Sequence, residues 1–199
     1  MKLYHAAPSP FARKARIAAN LRGLADRLEL VAVDAMASPP ELVAANPLSK
    51  IPALLTDDGQ CLYDSPVICE YLDELGDAPR LFPAAGPARW TALRLQALGD
   101  GIMDAALAVV YESRRPPEDA RAANIARQKA AIARALDALE ADIDTLEGPW
   151  TIGSVTAVCA LGYLEFRLGA DNWLATRPRL AAWYAKASAE PLIAESAPA

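Results

Sequence analysis

Strand and helix signals alternate over the first 76 residues of the chain, whereas only helical signals follow from residue 88 onward. In the first part, short apolar runs alternate with helical segments in the order β-α-β-α-β-β-α, which predicts a small sheet covered by helices. The second part is rich in Ala and Leu at helical spacing. We therefore predict an α/β domain at residues 1–76, a linker at 77–87 and an all-helical domain at 88–199.

Proline and glycine residues mark the breaks between the helices of the second domain. They stand at Pro116-Pro117, Gly148-Pro149 and Pro178, where a helix loses a backbone donor or meets a flexible residue. The helices predicted between these breaks span residues 88–114, 118–147, 152–169 and 177–189.

Composition and charge exclude several classes of protein. Acidic and basic residues are interspersed and sum to a net charge of −5, so no basic stripe predicts a nucleic-acid partner. No apolar run approaches the roughly 18 residues of a membrane helix, and the first residues indicate a strand rather than a signal peptide. The three scattered cysteines form no CxxC or Cys/His pattern. We therefore expect no membrane partner, no metal and a cytoplasmic location.

The first motif that could carry chemistry is Ser9-Pro10-Phe11, at the start of the first helix. A serine N-cap followed by proline at the first helical position is a common helix start. The unpaired N–H groups and the positive end of the helix dipole at such a place stabilise an anion, including a thiolate. The alternative is that Ser9 only caps its helix.

The second motif is Ser49-Lys50-Ile51-Pro52, at the head of a predicted strand. A cis proline at this point would leave the N–H and C=O of Ile51 free to pair with an extended peptide ligand. Lys50 is a flexible cation beside the same edge. The alternatives are an ordinary strand entry at Pro52 and a solvated Lys50.

The third motif is Asp64-Ser65-Pro66, which repeats the pattern of a polar cap and a proline. Ser65 at a helix N-cap would offer a hydroxyl and N–H groups to a ligand carboxylate, and Asp64 could accept a ligand ammonium. A zwitterionic amino-acid head group needs donors for its carboxylate and an acceptor for its ammonium side by side. A simple capped helix is the alternative.

In this order and spacing, the three motifs resemble the N-terminal domain of cytosolic glutathione transferases, and an all-helical second domain follows as in that family. The stretch from Asp100 to Ala105, Asp-Gly-Ile-Met-Asp-Ala, also resembles a bacterial branch of the family. The resemblance covers essentially the whole chain. It implies a thioredoxin-like fold for the first domain and glutathione as co-substrate.

The resemblance also implies a role for each motif. The Ile51 backbone before a cis Pro52 would bind the cysteinyl part of glutathione, and Phe11 would belong to the same site. Asp64 and Ser65 would hold the γ-glutamyl head, and Lys50 the glycyl carboxylate. Ser9 stands where relatives carry a catalytic serine or cysteine. Tyr4 is an alternative source of the catalytic hydroxyl, although we expect it to pack in the sheet.

The second substrate is expected between the domains, in a pocket whose walls could equally be plain core. The candidate residues are His5, Phe11, Met103, Leu107, Tyr111 and Phe166.

One departure from the family lies at Thr151 to Ser154, where the family commonly has a capping box that ends in Asp. Thr151 can still cap, but the carboxylate is missing, which puts local stability in question.

From the resemblance we expect a glutathione transferase that activates the glutathione thiolate for attack on a small hydrophobic electrophile or a peroxide, as in detoxification. Relatives form homodimers, and we expect the same here. Two alternatives stay open. One is a non-catalytic glutathione-binding adaptor of the same fold. The other is a thiol-disulfide oxidoreductase, which is disfavoured because Ser9 stands where that chemistry usually needs cysteine.

Overall fold

The computed structural model describes residues 1–116 and 118–198, so Pro117 of the predicted Pro116-Pro117 break lies outside the described residues. The chain divides into two compact units. The N-terminal unit comprises Met1–Ala84 together with the segment from Pro191 onward, and the helical unit comprises Ala85–Glu190. The described residues include no helix that is long and apolar enough to cross a membrane.

The N-terminal unit is built on a four-stranded sheet in the order β2-β1-β3-β4. Its strands are β1 Lys2–His5, β2 Glu29–Ala32, β3 Ala53–Leu55 and β4 Cys61–Leu62. Strand β1 runs parallel to β2 and antiparallel to β3, and β3 runs antiparallel to β4. The predicted βαβ unit and hairpin are thereby confirmed, and the central strands β1 and β3 carry the buried Leu3 and Leu54.

Three helices complete the predicted βαβαββα order: α1 Pro10–Leu21, α2 Pro40–Ala45 and α3 Ser65–Leu75. Helices α1 and α3 pack against each other, and each carries fully buried residues, such as Ala15 on α1 and Ile68 on α3. Helix α3 begins one residue earlier than predicted. Asp64 occupies its N-cap and makes no side-chain capping bond, so Ser65 is the first helical residue rather than the cap.

The helical unit contains α4 Gly86–Ser113, α5 Asp119–Ala141, α6 Ile152–Leu168 and α7 Pro178–Ser188. Helix α6 is buried from Ile152 through Tyr163 and packs mainly on α4. Two glycines allow this close approach. A Cβ atom on Gly153 would lie 2.7 Å from Leu95 Cβ, and one on Gly99 would lie 2.7 Å from Thr156 Cγ2. Together, the two units confirm the predicted combination of a thioredoxin-like sheet domain and a helical domain.

Helix α6 begins at a complete capping box in spite of the missing acid. The Thr151 hydroxyl accepts a hydrogen bond from the Ser154 N–H at 3.3 Å, and Ser154 Oγ accepts one from the Thr151 N–H at 2.9 Å. Serine thus supplies the reciprocal bond that Glu or Gln usually makes. Ser154 is 2% exposed, a site where a charged carboxylate would lose its hydration.

The end of the chain groups with the N-terminal unit, whereas the predicted division placed it in the helical domain. The short helix α8, Pro191–Ala194, packs on α1. Arg13 Nε donates to Ser196 Oγ at 3.2 Å, and Asn20 Nδ2 donates to the Leu192 carbonyl at 3.4 Å. Since Arg13 and Ser196 are both buried, these polar contacts fix the segment to α1.

The buried Asp73 ties the middle of the predicted linker to the N-terminal unit. Arg22 Nε lies 3.2 Å from Asp73 Oδ1, and both side chains are at most 2% exposed. Asp73 also accepts hydrogen bonds from the N–H groups of Leu81 at 2.6 Å and Phe82 at 3.4 Å. Residues 81 and 82 are therefore anchored to the domain that precedes them.

Candidate functional site

The sheet topology brings the three sequence motifs to one edge of the N-terminal unit. Strand β1 ends at His5 and leads to Ser9, while Tyr4 pairs with Ala53 at the beginning of β3. Because β3 and β1 are antiparallel, the end of β1 and the start of β3 share an edge. Strand β4 runs antiparallel to β3 and ends at Leu62, at that same edge. We call this the motif edge: residues 9–11, 50–52 and 64–65.

Ser9 is the N-cap of α1, and Pro10 occupies the first helical position, as predicted. Its Oγ accepts a hydrogen bond from the Ala12 N–H at 3.2 Å. An accepting hydroxyl keeps its own proton available for donation. Pro10 has no N–H, and that of Phe11 finds no partner within the described part of the chain. The start of α1 therefore offers a hydroxyl proton and an N–H at the positive end of the helix.

The Ile51–Pro52 peptide bond is cis, as the second motif suggested. Pro52 is buried, and β3 begins directly after it at Ala53. Neither the N–H nor the C=O of Ile51 takes part in a backbone hydrogen bond among residues 1–116 and 118–198. The backbone of Ile51 is therefore able to pair with an extended ligand.

Asn46 holds the loop in front of Ile51, a role that sequence reasoning missed. The Asn46 side chain is 1% exposed. Its Nδ2 donates to the Lys50 carbonyl at 2.9 Å, and its Oδ1 accepts from the Leu48 N–H at 3.0 Å. The signal in the sequence is the pair Asn46-Pro47, which is equally typical of a helix end. A buried amide that closes such a loop satisfies backbone groups that would otherwise be unpaired.

Lys50 points its charge to solvent from this loop. The side chain is exposed and makes no ion pair within the described ranges. Ser49, just before it, has a left-handed φ of 51°, and its hydroxyl donates to Ser38 Oγ at 2.9 Å. The backbone of Lys50 is thus fixed while its ammonium remains free for an anionic ligand.

Asp64 and Ser65 stand side by side where β4 leads into α3. Asp64 is exposed and gives no side-chain hydrogen bond to its helix, and the Tyr63–Asp64 peptide bond is cis. Ser65 is 1% exposed and belongs to the first turn of α3, followed by Pro66. An uncommitted carboxylate thus adjoins a helix N-terminus, a pairing that suits an ammonium and a carboxylate on one ligand.

His5 and Tyr4 differ in their surroundings although they are neighbours on β1. Tyr4 is 9% exposed and belongs to a hydrophobic cluster with Leu42 and Ala53. His5 is half-buried, and its Nδ1 atom has no hydrogen-bond partner. Burial, and to a lesser extent the charge of Arg16, lowers the pKa of His5. The lowered pKa favours the neutral form of His5 at the end of β1.

The other candidates for the second-substrate pocket belong to the helical unit. Met103 is fully buried in its core, Leu107 is half-buried and Tyr111 is 48% exposed. Phe166 is half-buried and lies under the guanidinium of Arg167, with 4.2 Å between Arg167 Cζ and the ring centroid. Met103 is thus a core residue by its burial, whereas Tyr111 and Phe166 present aromatic surface.

A separate groove of about 520 Å³ lies within the helical unit, and none of the predicted site residues lines it. Its walls include Trp150 and Trp183. Both indole N–H groups are already satisfied, that of Trp150 by Glu190 at 2.8 Å and that of Trp183 by the Leu146 carbonyl at 3.1 Å. The two indoles therefore offer no free donor to a ligand, and we place no chemistry in this groove.

Family models match both units of the chain. The N-terminal domain of glutathione S-transferases matches residues 8–75, which include the whole motif edge, and the C-terminal domain of the same family matches residues 122–186. The chain therefore belongs to the glutathione S-transferase family.

Similar proteins agree with this assignment. An uncharacterised GST-like protein of Escherichia coli K12, YibF, is 34% identical over 90% of each chain. The crystal structure of a glutathione transferase family member from Pseudomonas fluorescens Pf-5 with bound glutathione is 41% identical, with a TM-score of 0.95 over 100% of this chain and 98% of that one. A structure from the same organism with bound S-(propanoic acid)-glutathione has a TM-score of 0.91, at 41% identity and full coverage of both chains.

Proposed function

We propose that this protein is a glutathione transferase that binds glutathione at the motif edge and activates its thiolate. The observation that carries the proposal is the convergence of three separate motifs on one end of the sheet. Each offers a different kind of group: a capped helix start at Ser9, a free backbone at Ile51 and a carboxylate beside a helix start at Asp64. Similar proteins with bound glutathione support the assignment.

In this proposal, each part of the tripeptide meets a complementary group. The cysteinyl backbone pairs with Ile51 in the manner of an added strand. The γ-glutamyl ammonium meets the Asp64 carboxylate, and its carboxylate meets Ser65 and the α3 N-terminus. Lys50 contributes its charge to the glycyl carboxylate. Phe11, with its partnerless N–H, lies beside Ser9 at the start of α1 and contributes to the same site.

Ser9 acts as a hydrogen-bond donor to sulfur and not as a covalent nucleophile. A free thiol ionises near pKa 8.5, so most glutathione is protonated at neutral pH. A hydroxyl proton and the positive end of α1 both favour the thiolate. Lowering the thiol pKa by one unit corresponds to about 1.4 kcal/mol. The thiol proton leaves to solvent, and the thiolate attacks the electrophile.

The second substrate is a small electrophile or a peroxide. The residues expected from the sequence to contact it, His5, Leu107, Tyr111 and Phe166, remain predictions. The S-(propanoic acid)-glutathione bound to the Pseudomonas fluorescens protein is a thioether of glutathione. A thioether is the class of product that thiolate attack on carbon forms.

A binding protein without turnover is the second candidate, because Ser9 is a weaker acid than a catalytic cysteine and serves also as a cap. A thiol-disulfide oxidoreductase is disfavoured, since the motif edge has no cysteine at position 9. Retention on glutathione-agarose, followed by turnover assays with an aryl halide and an organic peroxide, separates these functions. Retention with turnover supports the transferase, retention alone supports the binding protein, and no retention contradicts both.

We further propose a homodimer in the cytoplasm, as expected from the sequence. Exposed apolar side chains in the N-terminal unit, such as Met36 at 80% and Leu48 at 65%, provide surface that a second copy could cover. None of the three cysteines forms a disulfide, and two of them are buried, which suits a reducing compartment. Sedimentation at micromolar concentration tests the dimer, and a monomer would contradict it.

A further inference from the structure

The five arginines of the N-terminal unit differ in whether an acid balances their charge. Three of them pair with an acid: Arg22 with Asp73, Arg27 with Asp57 and Arg80 with Glu74. Arg13 and Arg16 make no ion pair within the described ranges 1–116 and 118–198. Both lie on α1, three positions apart and hence on one face of the helix. We call Arg13 and Arg16 the α1 arginine pair.

Arg13 is held by neutral groups. Its Nε donates to Ser196 Oγ at 3.2 Å and its Nη2 donates to the Ile193 carbonyl at 3.4 Å. Its Nη1 is buried and has no hydrogen-bond partner among the described residues. The whole side chain is 4% exposed. Neutral acceptors satisfy donors but do not cancel the charge, and burial excludes the water that would screen it.

Arg16 is half-buried, and its side chain makes no hydrogen bond to another residue in the described part of the chain. Burial, followed by the charge of Arg13, lowers the pKa of Arg16. A guanidinium nevertheless stays protonated at neutral pH. The α1 arginine pair therefore holds two like charges close together in a partly desolvated part of the unit.

The start of α1 lies on the same side of the helix as this pair. Ser9, Arg13 and Arg16 follow one another at spacings of four and three residues, which places them on one helix face. The Arg13 N–H donates to the Ser9 carbonyl at 3.0 Å, so Arg13 stands one turn from the helix start. The Cα atom of Arg16 is about 10 Å from that of Ser9 along the axis, and helical side chains lean toward the N-terminus. Both charges thus lie within about one Debye length of Ser9.

His5 gives a separate sign of how far this charge reaches. His5 ends β1, and the next residue, Ala6, accepts a hydrogen bond from the Ser9 N–H at 3.0 Å. The charge of Arg16 contributes, after burial, to the lowered pKa of His5. The field of Arg16 therefore extends to the end of β1, close to Ser9.

The acids on the elements that pack against α1 leave the charge of the pair in place. These elements are α3, α8 and the single turn Ala25–Arg27. The charged groups on them, and just beyond α8, are Asp26, Arg27, Glu70, Asp73, Glu74 and Glu195. Asp73, Glu74 and Arg27 are committed to the ion pairs given above. None of the six makes an ion pair with Arg13 or Arg16.

We propose that the positive charges of the α1 arginine pair stabilise the glutathione thiolate at Ser9 through space, so that both arginines support the reaction without contacting the sulfur. This rests on the proposed function. Ser9 supplies the hydrogen bond, and the pair supplies positive potential behind the helix start, where burial limits screening. The thiol proton still leaves to solvent. The pair shifts the equilibrium between thiol and thiolate.

The test is a pH titration of the ultraviolet absorbance of the thiolate, in the complex of the protein with glutathione. Arg16→Gln should raise the pKa of the bound thiol by about half a unit, the effect of one charge at about this distance. At a pH below that pKa, the conjugation rate at saturating glutathione should fall about threefold. Arg16→Lys keeps the charge and should restore both values, which loss of packing alone would not explain.

The matched control is Arg27→Gln, which removes an arginine of the same unit from the opposite end of β1. Arg27 lies just before β2, whose first residue, Glu29, pairs with Lys2 at the start of β1. Ser9 follows the end of that strand. Arg27→Gln should therefore leave the pKa of the bound thiol unchanged. An equal rise in both variants would mean that the effect comes from net charge, and it would overturn the inference.

Arg13→Gln should raise the pKa of the bound thiol at least as much as Arg16→Gln does, because Arg13 is nearly one turn closer to Ser9. It also loses the contacts to Ser196 and Ile193, so its unfolding temperature is measured first. If Arg13→Gln does not fold, the two Arg16 variants still decide the inference.

An NMR titration of His5 tests the reach of the charge in the free protein. Arg16→Gln should raise the pKa of His5 toward its ordinary value, and Arg16→Lys should leave it low. An unchanged His5 pKa in Arg16→Gln would overturn the inference whatever glutathione does.

The two proposals fail in different ways. A lowered thiol pKa in the wild-type complex that Arg16→Gln leaves unchanged would contradict this inference alone. A bound thiol that still ionises near pKa 8.5, or no complex with glutathione, would contradict the proposed function.

Discussion

Helices α1 and α6 both begin at a hydroxyl N-cap, but the two helix starts use their polar groups differently. At α6, Thr151 and Ser154 bond each other's backbone N–H groups, and Ser154 is buried. At α1, Ser9 accepts a single bond from Ala12, and the N–H of Phe11 lacks a partner in the described structure. The cap of α6 is complete and stabilises the fold. The start of α1 leaves polar groups free, as a ligand site requires.

The largest expected effect is on activity, from a substitution at the start of α1, where the polar groups are left free. Ser9→Ala removes the proposed donor to the thiolate, and kcat/KM for glutathione conjugation should fall about 100-fold, as on loss of one donor to a developing charge. The free energy of unfolding should fall by only about 1 kcal/mol, the usual value of a cap. The measurement is the pH–rate profile alongside urea unfolding.

Ser9→Thr is the matched control, because it keeps a hydroxyl at the N-cap. It should retain more activity than Ser9→Ala and nearly the stability of the wild type. If Ser9→Ala left the rate and its pH dependence unchanged, Ser9 would be a cap and nothing more, and the contrast between the two helix starts would lose its functional side.

The next largest effect is on stability, from the packing of α4 against the start of α6. Gly153→Ala would place a Cβ atom 2.7 Å from Leu95 Cβ and 2.9 Å from the Ala92 carbonyl oxygen. The free energy of unfolding should fall by about 2 kcal/mol, because α4 and α6 must move apart. Gly101→Ala is the control. No atom lies within 4 Å of its added Cβ, so it should raise stability by about 0.5 kcal/mol. Equal effects of the two substitutions, measured by urea unfolding, would refute close packing at Gly153.

The cap of α6 itself should contribute less than this packing. Thr151→Ala removes the hydroxyl that accepts the Ser154 N–H and should lower the free energy of unfolding by about 1 kcal/mol. Glutathione conjugation by the folded variant should remain at the wild-type rate. Urea unfolding checks the loss of stability, and a rate measurement on the same preparation checks that the activity is unchanged. A large loss of activity with intact stability would reverse the roles assigned to the two helix starts.

The smallest expected effect is a pH dependence of the free energy of unfolding that comes from His5, at the end of β1. Its pKa is lowered from about 6.5, mainly by burial, so the unfolded chain binds a proton before the folded one does. The free energy of unfolding should therefore decline as the pH falls from about 6.5 through the folded-state pKa. This contribution should vanish in His5→Gln. Since His5 is the single histidine, its NMR titration is unambiguous. A midpoint at or above 6.5 would contradict the burial of this residue.

The features that could be predicted from sequence are those that depend on residues close together in the chain. The helix start at Ser9-Pro10 reflects local preferences of serine and proline and was predicted from them. The cis Ile51–Pro52 bond was implied by the family resemblance, since the motif alone also permits an ordinary strand entry. The fold class followed from the loss of strand signals after residue 76. Helix α3 begins one residue early because proline permits either Asp64 or Ser65 to precede it within the first turn.

Features that depend on distant residues were missed. Asn46 closes the loop before Ile51 through a side-chain amide, and no local pattern distinguishes this from a helix break. The attachment of residues 191–198 to α1 depends on Arg13 and Ser196, which are 183 positions apart. In the sequence, Ser154 in place of the family's acid puts the local stability in question. In the structure, the serine completes the capping box.

The central claim is that the motif edge binds glutathione, and isothermal calorimetry tests it most directly. Folded wild-type protein should bind glutathione saturably at one site per chain. Asp64→Asn should weaken the affinity about tenfold, because the proposed ammonium contact loses its charge. Asp26→Asn, at another exposed acid of the same unit, should leave it unchanged. No heat of binding to folded wild-type protein, or equal affinity for both variants, would contradict the account.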